Sequence, residues 1–165
     1  MPSIMDRPIK CLGKWYDVSL KDTNNISRTK NQLQDGLKLI DKTGLPGKFK
    51  AWLYQHGLLS RLLWPLMLYE IATSTVEGFY RLINRHLRRW LGVPPSFTSV
   101  GLYGRTNQLK LPMTAIVEEF KVAKGRLVVT LKQSTDDLIR KAGIETRTGR
   151  KWSTSQAVSQ AERRL

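Results

Sequence analysis

The clearest hydrophobic pattern in the chain lies between residues 74 and 95. Its apolar positions recur at steps of three and four, which places them on one face of an α-helix; they are Val76, Phe79, Tyr80, Ile83, Leu87, Trp90 and Leu91. Ser74 with Glu77 has the spacing of a capping box, and Gly92 followed by two prolines is a typical helix stop. The pattern therefore predicts a helix over 74–91, the longest well-defined helix of the chain.

Shorter stretches with the same spacing predict further helices, at about 27–42, from 46 onward, at 116–131, at 134–142 and from 153 onward. The helix from 46 onward should present an apolar face of Phe49, Trp52 and Leu53. Further along the chain, Pro65 should kink or break the helical structure. Because the segment 58–71 is apolar on nearly all sides, we expect it to be buried.

The remaining stretches predict turns, loops and one hairpin. Residues 21–25 are polar and predict a turn, 96–107 form a Ser/Gly-rich linker, and 144–152 predict a basic loop or hairpin. Apolar and aromatic residues on both sides of Gly13, within 9–20, predict a short β hairpin. The fold class is therefore mainly α, a helical bundle with a small N-terminal β hairpin. We divide the chain into an extended or hairpin segment at 1–22, a helical bundle at 23–95 and a C-terminal helical extension at 96–165.

The charge of the chain indicates a phosphate-rich partner. Its 165 residues include 28 Lys and Arg against 13 Asp and Glu, a formal net charge of +15. Such an excess favours polyanions, because binding releases the counterions condensed on them. The hydrophobic fraction of 41% is too high for a disordered basic tail, so a packed core should carry this charge.

Basic residues cluster at three places, and we interpret these as candidate nucleic-acid contacts. They are Arg81, Arg85, Arg88 and Arg89 on one side of the 74–91 helix, Lys48 and Lys50 at the start of the helix before it, and Arg147, Arg150 and Lys151 beside Trp152. The alternative is that these are ordinary solvated basic faces. Trp52, Trp64 and Trp90 lie on apolar helix faces, so we expect them in the core.

No arrangement of residues predicts an enzyme, a cofactor or a metal site. The pair Asp136–Asp137 resembles the paired aspartates of a polymerase, but it lacks a neighbouring strand pattern and an aromatic residue at 134. Ser134 and Asp137 instead predict the negative first turn of a helix. The chain has two histidines without acidic or cysteine partners at ligand spacing, and Cys11 is its only cysteine.

The chain also lacks the segments that would send it into or across a membrane. The longest apolar run, 62–69, is far too short to span a bilayer, and the first residues lack a secretory apolar core. We expect an intracellular protein, nuclear or cytoplasmic, that is neither secreted nor transmembrane.

Several motifs together resemble the region after the catalytic palm in reverse transcriptases of non-LTR retrotransposons. Lys10-Cys11-Leu12-Gly13 is similar to the Lys-x-Leu-Gly strand turn of that family, and RHLRRWLGVP at 85–94 is similar to the end of its long basic helix. Between and after them, LPGKFKAW at 45–52, LLSRLLWPLMLYE at 58–70 and the tail motifs LPMTAIVEEF and AGIETRTGRKW follow in the family's order.

The resemblance implies that residues 23–95 are thumb-like, since in the family this region is the helical thumb that holds the primer–template duplex. The fingers, the palm and its catalytic aspartates are absent from the chain, so the resemblance implies a fragment that grips duplex DNA or an RNA–DNA hybrid without polymerase activity. The rival interpretation is a helical scaffold or protein-interaction module with no nucleic-acid role, whose partner would bind the apolar segment 58–71.

Overall fold

The computed structural model of the chain describes residues 7–11, 13–104 and 113–164. It confirms a mainly α fold that begins with a small antiparallel hairpin. Strand β1 (Ile9–Cys11) pairs with β2 (Lys14–Tyr16), and Lys10 faces Trp15 across the two strands. Gly13 takes a φ of 82° in the turn, a left-handed conformation that glycine adopts without strain.

Eight α-helices follow in the described residues: α1 (Thr23–Lys42), α2 (Gly47–Leu53), α3 (Leu59–Leu68), α4 (Thr73–Leu91), α5 (Ser99–Tyr103), α6 (Ile116–Lys132), α7 (Asp137–Lys141) and α8 (Thr154–Glu162). A π-helical turn, Tyr54–Leu58, joins α2 to α3 without a break, so residues 47–68 form one continuous helical rod. Pro65 lies inside α3 and does not end it, which corrects the expected break.

Helix α1 begins earlier than the sequence predicts, within the residues expected to form a turn. Asn25 is buried, and its side-chain amide donates to the Trp15 carbonyl at 2.8 Å and to Asp22 at 3.1 Å. These contacts with the hairpin order a polar stretch that has little apolar signal of its own. With 20 residues against 19 for α4, α1 is also the longest helix in the described part of the chain.

Helix α4 follows the prediction along its length but begins differently. Four of its predicted apolar residues are buried, namely Val76, Phe79, Ile83 and Leu87, and Gly92 ends it with a φ of 66°. The expected capping box is wrong, because Ala72 occupies the N-cap and no side chain caps the first turn. Instead, the Thr73 amide donates to the Thr148 carbonyl at 2.9 Å, and Glu77 accepts from Lys151 at 2.6 Å.

The core is continuous through the bundle and draws on residues before and after position 95. Leu33 and Leu37 of α1 are wholly buried together with apolar side chains of α3, α4 and α6, among them Leu62, Ile83 and Phe120. Helix α6 packs on α3, α4 and α8. The division into units at 1–22, 23–95 and 96–165 stays a prediction.

The predicted apolar face of Phe49, Trp52 and Leu53 is wrong for its two aromatic residues, whereas Leu53 packs partly buried against the core. Phe49, Trp52 and Trp64 are 56%, 54% and 55% exposed, whereas Ala51 and Tyr54 are wholly buried. The physical reason is that α2 packs on α4 through the side that carries Gly47 and Ala51, which leaves Phe49 and Trp52 on the solvent side. Trp52 and Trp64 are therefore not core residues, while Trp90 is partly buried as expected.

The second half of the chain agrees with the prediction in outline. The stretch expected as a linker contains the short helix α5, whose Thr98 side chain caps it and whose Leu102 is buried. Helix α6 runs through Gly125 as one element, α7 ends just before Gly143 with its φ of 58°, and 144–152 forms a loop. The sequence also predicts that the chain enters this helix through Pro112, which lies outside the described residues.

A buried polar network joins the hairpin, α1, α3 and α6. Lys124 of α6 is 2% exposed, and its ammonium group donates to the carbonyls of Met67 and Tyr69, both at 2.7 Å, at the end of α3. Beside it, Asp22 accepts from Lys14 at 2.9 Å and from the Glu70 amide at 2.8 Å. Burial lowers the pKa of Lys124 to about 8, although the nearby carboxylates of Asp22 and Glu70 oppose the shift.

Candidate nucleic-acid interface

The four arginines on the side of α4 fall into two pairs with different surroundings. Arg81 and Arg85 lie one helical turn apart and are exposed to solvent. Within the described residues, neither forms a salt bridge or a side-chain hydrogen bond. This pair therefore keeps its guanidinium donors available for an external acceptor.

Arg88, in contrast, holds the chain segment that follows α4. Its Nε donates to the Phe97 carbonyl at 3.0 Å, and its Nη2 donates to the Ser99 hydroxyl at 3.1 Å. The side chain is half-buried. These bonds fix residues 97–99 against α4, so we assign Arg88 a structural role in shaping the surface.

Arg89 has a partner in another helix, since it forms a salt bridge with Asp41 of α1. The Asp41 carboxylate also lies 3.1 Å from His86 Nδ1 and accepts from Trp90 Nε1 at 2.6 Å. Partial burial alone would raise the pKa of Asp41, but hydrogen bonds from Arg89 and Trp90 outweigh it and hold the pKa below its usual value. This cluster ties the end of α4 to the end of α1.

A groove of about 680 Å³ runs along the arginine side of α4. All four arginines line it, together with Tyr80, Val93 and Pro95, which supply apolar surface. The loop after α4, fixed by Arg88, forms part of its lining. The groove is open to solvent and cationic, with Arg81 and Arg85 as its uncommitted charges, so it offers a place for a phosphate-bearing chain.

The other predicted cations are spread over the surface, and some have internal partners. Lys48 is exposed, but Lys50 donates to the Asp41 carbonyl at 3.0 Å. In the loop after α7, Arg147 and Arg150 are exposed, whereas the Lys151 ammonium lies 2.6 Å from Glu77. Trp152, named with these cations as a candidate nucleic-acid contact, packs against the core with its ring 6.3 Å from that of Phe120.

The hairpin carries a basic and aromatic group that the sequence reasoning did not identify. The Arg28 guanidinium of α1 lies 4.6 Å from the centre of the Trp15 ring, and the Lys10 ammonium lies 5.9 Å from it. The available signal was the presence of Lys10 and Lys14 close to Trp15 and Tyr16. Its pairing with Arg28 depends on how α1 packs, which the local sequence does not encode.

The acidic pair at 136–137 lies at the start of α7. The Asp136 side chain accepts from the Leu138 amide at 2.8 Å and so caps the helix, and Asp137 forms an ion pair with Arg140. The N-cap is thus Asp136, two residues after Ser134, where the sequence places the start of the helix. In the part of the chain that the structure describes, no three His, Cys, Asp or Glu side chains come together as ligands for a metal ion.

Comparisons with known proteins found no match to this chain among family models, curated proteins or solved structures. Within 7–11, 13–104 and 113–164, every helix is too short or too polar to cross a lipid bilayer.

Proposed function

We propose that this chain binds the backbone of duplex nucleic acid, DNA or an RNA–DNA hybrid, without sequence preference and without catalysis. The observation that carries the proposal is the pair Arg81 and Arg85, exposed one turn apart on α4 beside the groove. A guanidinium with free donors forms bidentate bonds with phosphate, and phosphate contacts carry no direct sequence information. The net charge of +15 adds a long-range attraction to such a partner.

We further propose that the chain is a thumb-like fragment derived from a retroelement reverse transcriptase, active in the nucleus or cytoplasm. The support is the order of its motifs, a hairpin with Lys10 and Gly13 followed by helices that end in the basic sequence 85–94. Gripping a duplex needs a cationic helix face, and Arg81 and Arg85 give α4 such a face.

The test removes the two uncommitted charges and compares the result with a matched control. We expect Arg81→Gln/Arg85→Gln to bind a labelled duplex more weakly at low salt than the parent chain. The slope of log affinity against log salt should become shallower by about 0.9 for each phosphate that the variant no longer neutralises. The control Arg163→Gln/Arg164→Gln removes the same charge from exposed positions at the end of α8 and should change the slope less.

Equal behaviour of the two double variants would contradict the assignment of the site, because only net charge would then matter. Binding of different duplex sequences with affinities that differ by more than about tenfold would contradict the backbone mode. Far-UV circular dichroism of both variants checks that each remains folded.

The second candidate, a scaffold that docks a protein through 58–71, has less surface available than the sequence suggests. Leu62 and Leu66 are wholly buried, and Trp64 is the only large apolar side chain of this fully described segment that is mostly exposed. Self-association that does not change with salt would favour this candidate over duplex binding.

A further inference from the structure

Two tryptophans lie on the solvent side of the helical rod 47–68, which is an unusual position for the largest apolar side chain. Trp52 and Trp64 are 54% and 55% exposed. Buried residues alternate with them along the rod, namely Tyr54, Leu58, Leu62 and Leu66. The exposed side is a row at four-residue steps, which we call the tryptophan stripe: Trp52, His56, Ser60 and Trp64.

Each indole ring has a neighbour, while more than half of each tryptophan remains exposed. The His56 ring lies 4.9 Å from that of Trp52, tilted by 42°. Trp64 lies against the hairpin turn, where a β-carbon placed on Gly13 would be 3.4 Å from its Nε1. Twelve residues at ~1.5 Å each separate the two tryptophans by roughly 18 Å along the rod. Such supported and exposed aromatic rings are suited to stacking.

The charge around the stripe favours a polyanionic occupant. Residues 43–69 contain no Asp or Glu, and Lys48 and Arg61 are exposed on the same rod. Surfaces that bind single-stranded nucleic acid combine these two features, aromatic rings on which bases stack and cations that follow the backbone. A duplex hides the faces of its bases, so this surface would serve a different ligand from the arginine side of α4.

We propose that the tryptophan stripe is a stacking platform for single-stranded nucleic acid. Bases stack on Trp52 and Trp64, and Lys48 and Arg61 contact the phosphates between and beside them. The inference shares with the proposed function only the premise that the chain binds nucleic acid, since the two surfaces use different residues.

The test distinguishes stacking from simple apolar contact. Trp52→Leu/Trp64→Leu keeps apolar bulk but removes the aromatic face, whereas Trp52→Phe/Trp64→Phe keeps an aromatic ring. Fluorescence anisotropy with labelled oligo(dT) of about 20 nucleotides should show the Leu variant weakened by at least about tenfold. The Phe variant should stay within about threefold of the parent chain, because base stacking tolerates any aromatic ring.

The controls separate this surface from the rest of the molecule. Leu39→Ala, at a position that is 69% exposed on α1, should leave oligo(dT) affinity unchanged. The Leu double variant should bind duplex as the parent does, and Arg81→Gln/Arg85→Gln should keep most of its oligo(dT) affinity. Loss of oligo(dT) binding with duplex binding intact in the Leu variant supports the stripe even if the groove on α4 proves unimportant.

Equal oligo(dT) affinity of the parent and the Leu variant would overturn the proposal, whatever the outcome for duplex. So would a parent chain that binds duplex but not oligo(dT). If sedimentation velocity then shows that the Leu variant alone loses self-association, the stripe is an interface between copies of this chain instead.

Discussion

Replacing Gly47 with alanine should destabilise the fold strongly, because no room exists for a side chain where α2 meets α4. A β-carbon at Gly47 would lie 1.6 Å from the Trp90 carbonyl oxygen and 2.5 Å from its carbonyl carbon. Real β-carbons essentially never come within 3.0 Å of another heavy atom, so the two backbones would have to separate by at least about 1.4 Å.

The collision is costly because neither backbone can yield by itself. The obstructing atom belongs to the last turn of α4, and the Trp90 indole is tied to Asp41 of α1 by a 2.6 Å hydrogen bond. Overpacking a rigid contact typically costs about 1–3 kcal/mol, and a backbone collision belongs at the upper end, about 3 kcal/mol. That is a large share of the roughly 5–15 kcal/mol that stabilises a typical domain.

Urea unfolding followed by far-UV circular dichroism measures the effect, with Gly78→Ala as the matched control. Gly78 lies in the middle of α4, and a β-carbon there meets no atom within 4 Å. The same substitution should therefore stabilise the chain by about 1 kcal/mol through helix propensity alone. A Gly47→Ala variant within about 0.5 kcal/mol of the parent would refute the close contact of α2 with α4.

Three further predictions concern buried or paired polar groups. The pKa of Lys124 is about 8 in the folded chain against 10.5 in the unfolded chain, so between these pH values Lys124 is mostly protonated only in the unfolded chain. The free energy of unfolding should therefore rise by about 1.5 kcal/mol from pH 8 to about 9.5. Lys124→Met should flatten this rise. The Tyr54 hydroxyl is buried without a hydrogen-bond partner among the described residues. Tyr54→Phe should therefore increase the free energy of unfolding by about 1 kcal/mol, seen as a higher urea midpoint. Asp41 has a lowered pKa, so its ion pair stabilises the fold at pH values above the usual carboxylate pKa. Asp41→Asn should cost about 1 kcal/mol at pH 7 and progressively less as the pH falls through the lowered pKa, measured by the same unfolding assay.

Elements whose signals are local were predicted well. Leu33, Leu37 and Ile40 are buried at helical spacing in α1, and the glycines that end α4 and α7 take left-handed φ values. Hydrophobic periodicity and the conformation of a glycine depend on residues within a few positions, so both can be predicted from the local amino-acid sequence. The mainly α fold class follows from these local signals.

Features that depend on distant partners could not be predicted. Ser74 does not cap α4, because the Thr148 carbonyl already accepts from the first turn and Lys151 binds Glu77; both partners lie more than 70 residues away. The buried face of 47–68 depends on the packing of α2 on α4, where Gly47 meets Trp90, and on the packing of α3 on α6. Neither leaves a pattern in the amino-acid sequence that hydrophobic spacing would detect.

Contacts with distant residues also change what the row of arginines on α4 can bind. As a sequence, Arg81, Arg85, Arg88 and Arg89 form one basic face on which each member would contribute a similar increment to backbone binding. In the structure, Arg88 and Arg89 already have acceptors, so each has fewer free donors for a phosphate than Arg81 or Arg85. Replacing Arg88 would release the loop at Phe97, and replacing Arg89 would leave Asp41 with one partner fewer.

A variant without all four arginines would therefore bind duplex more weakly for two reasons at once, a smaller charge and a loosened groove. Only the pair Arg81 and Arg85 can be replaced while every hydrogen bond among the described residues is kept. The salt slope of that pair measures phosphate binding alone, while any change in the urea midpoint of single Arg88→Gln and Arg89→Gln variants measures their structural part. Together the two measurements separate the arginines that bind phosphate from the arginines that maintain the shape of the groove.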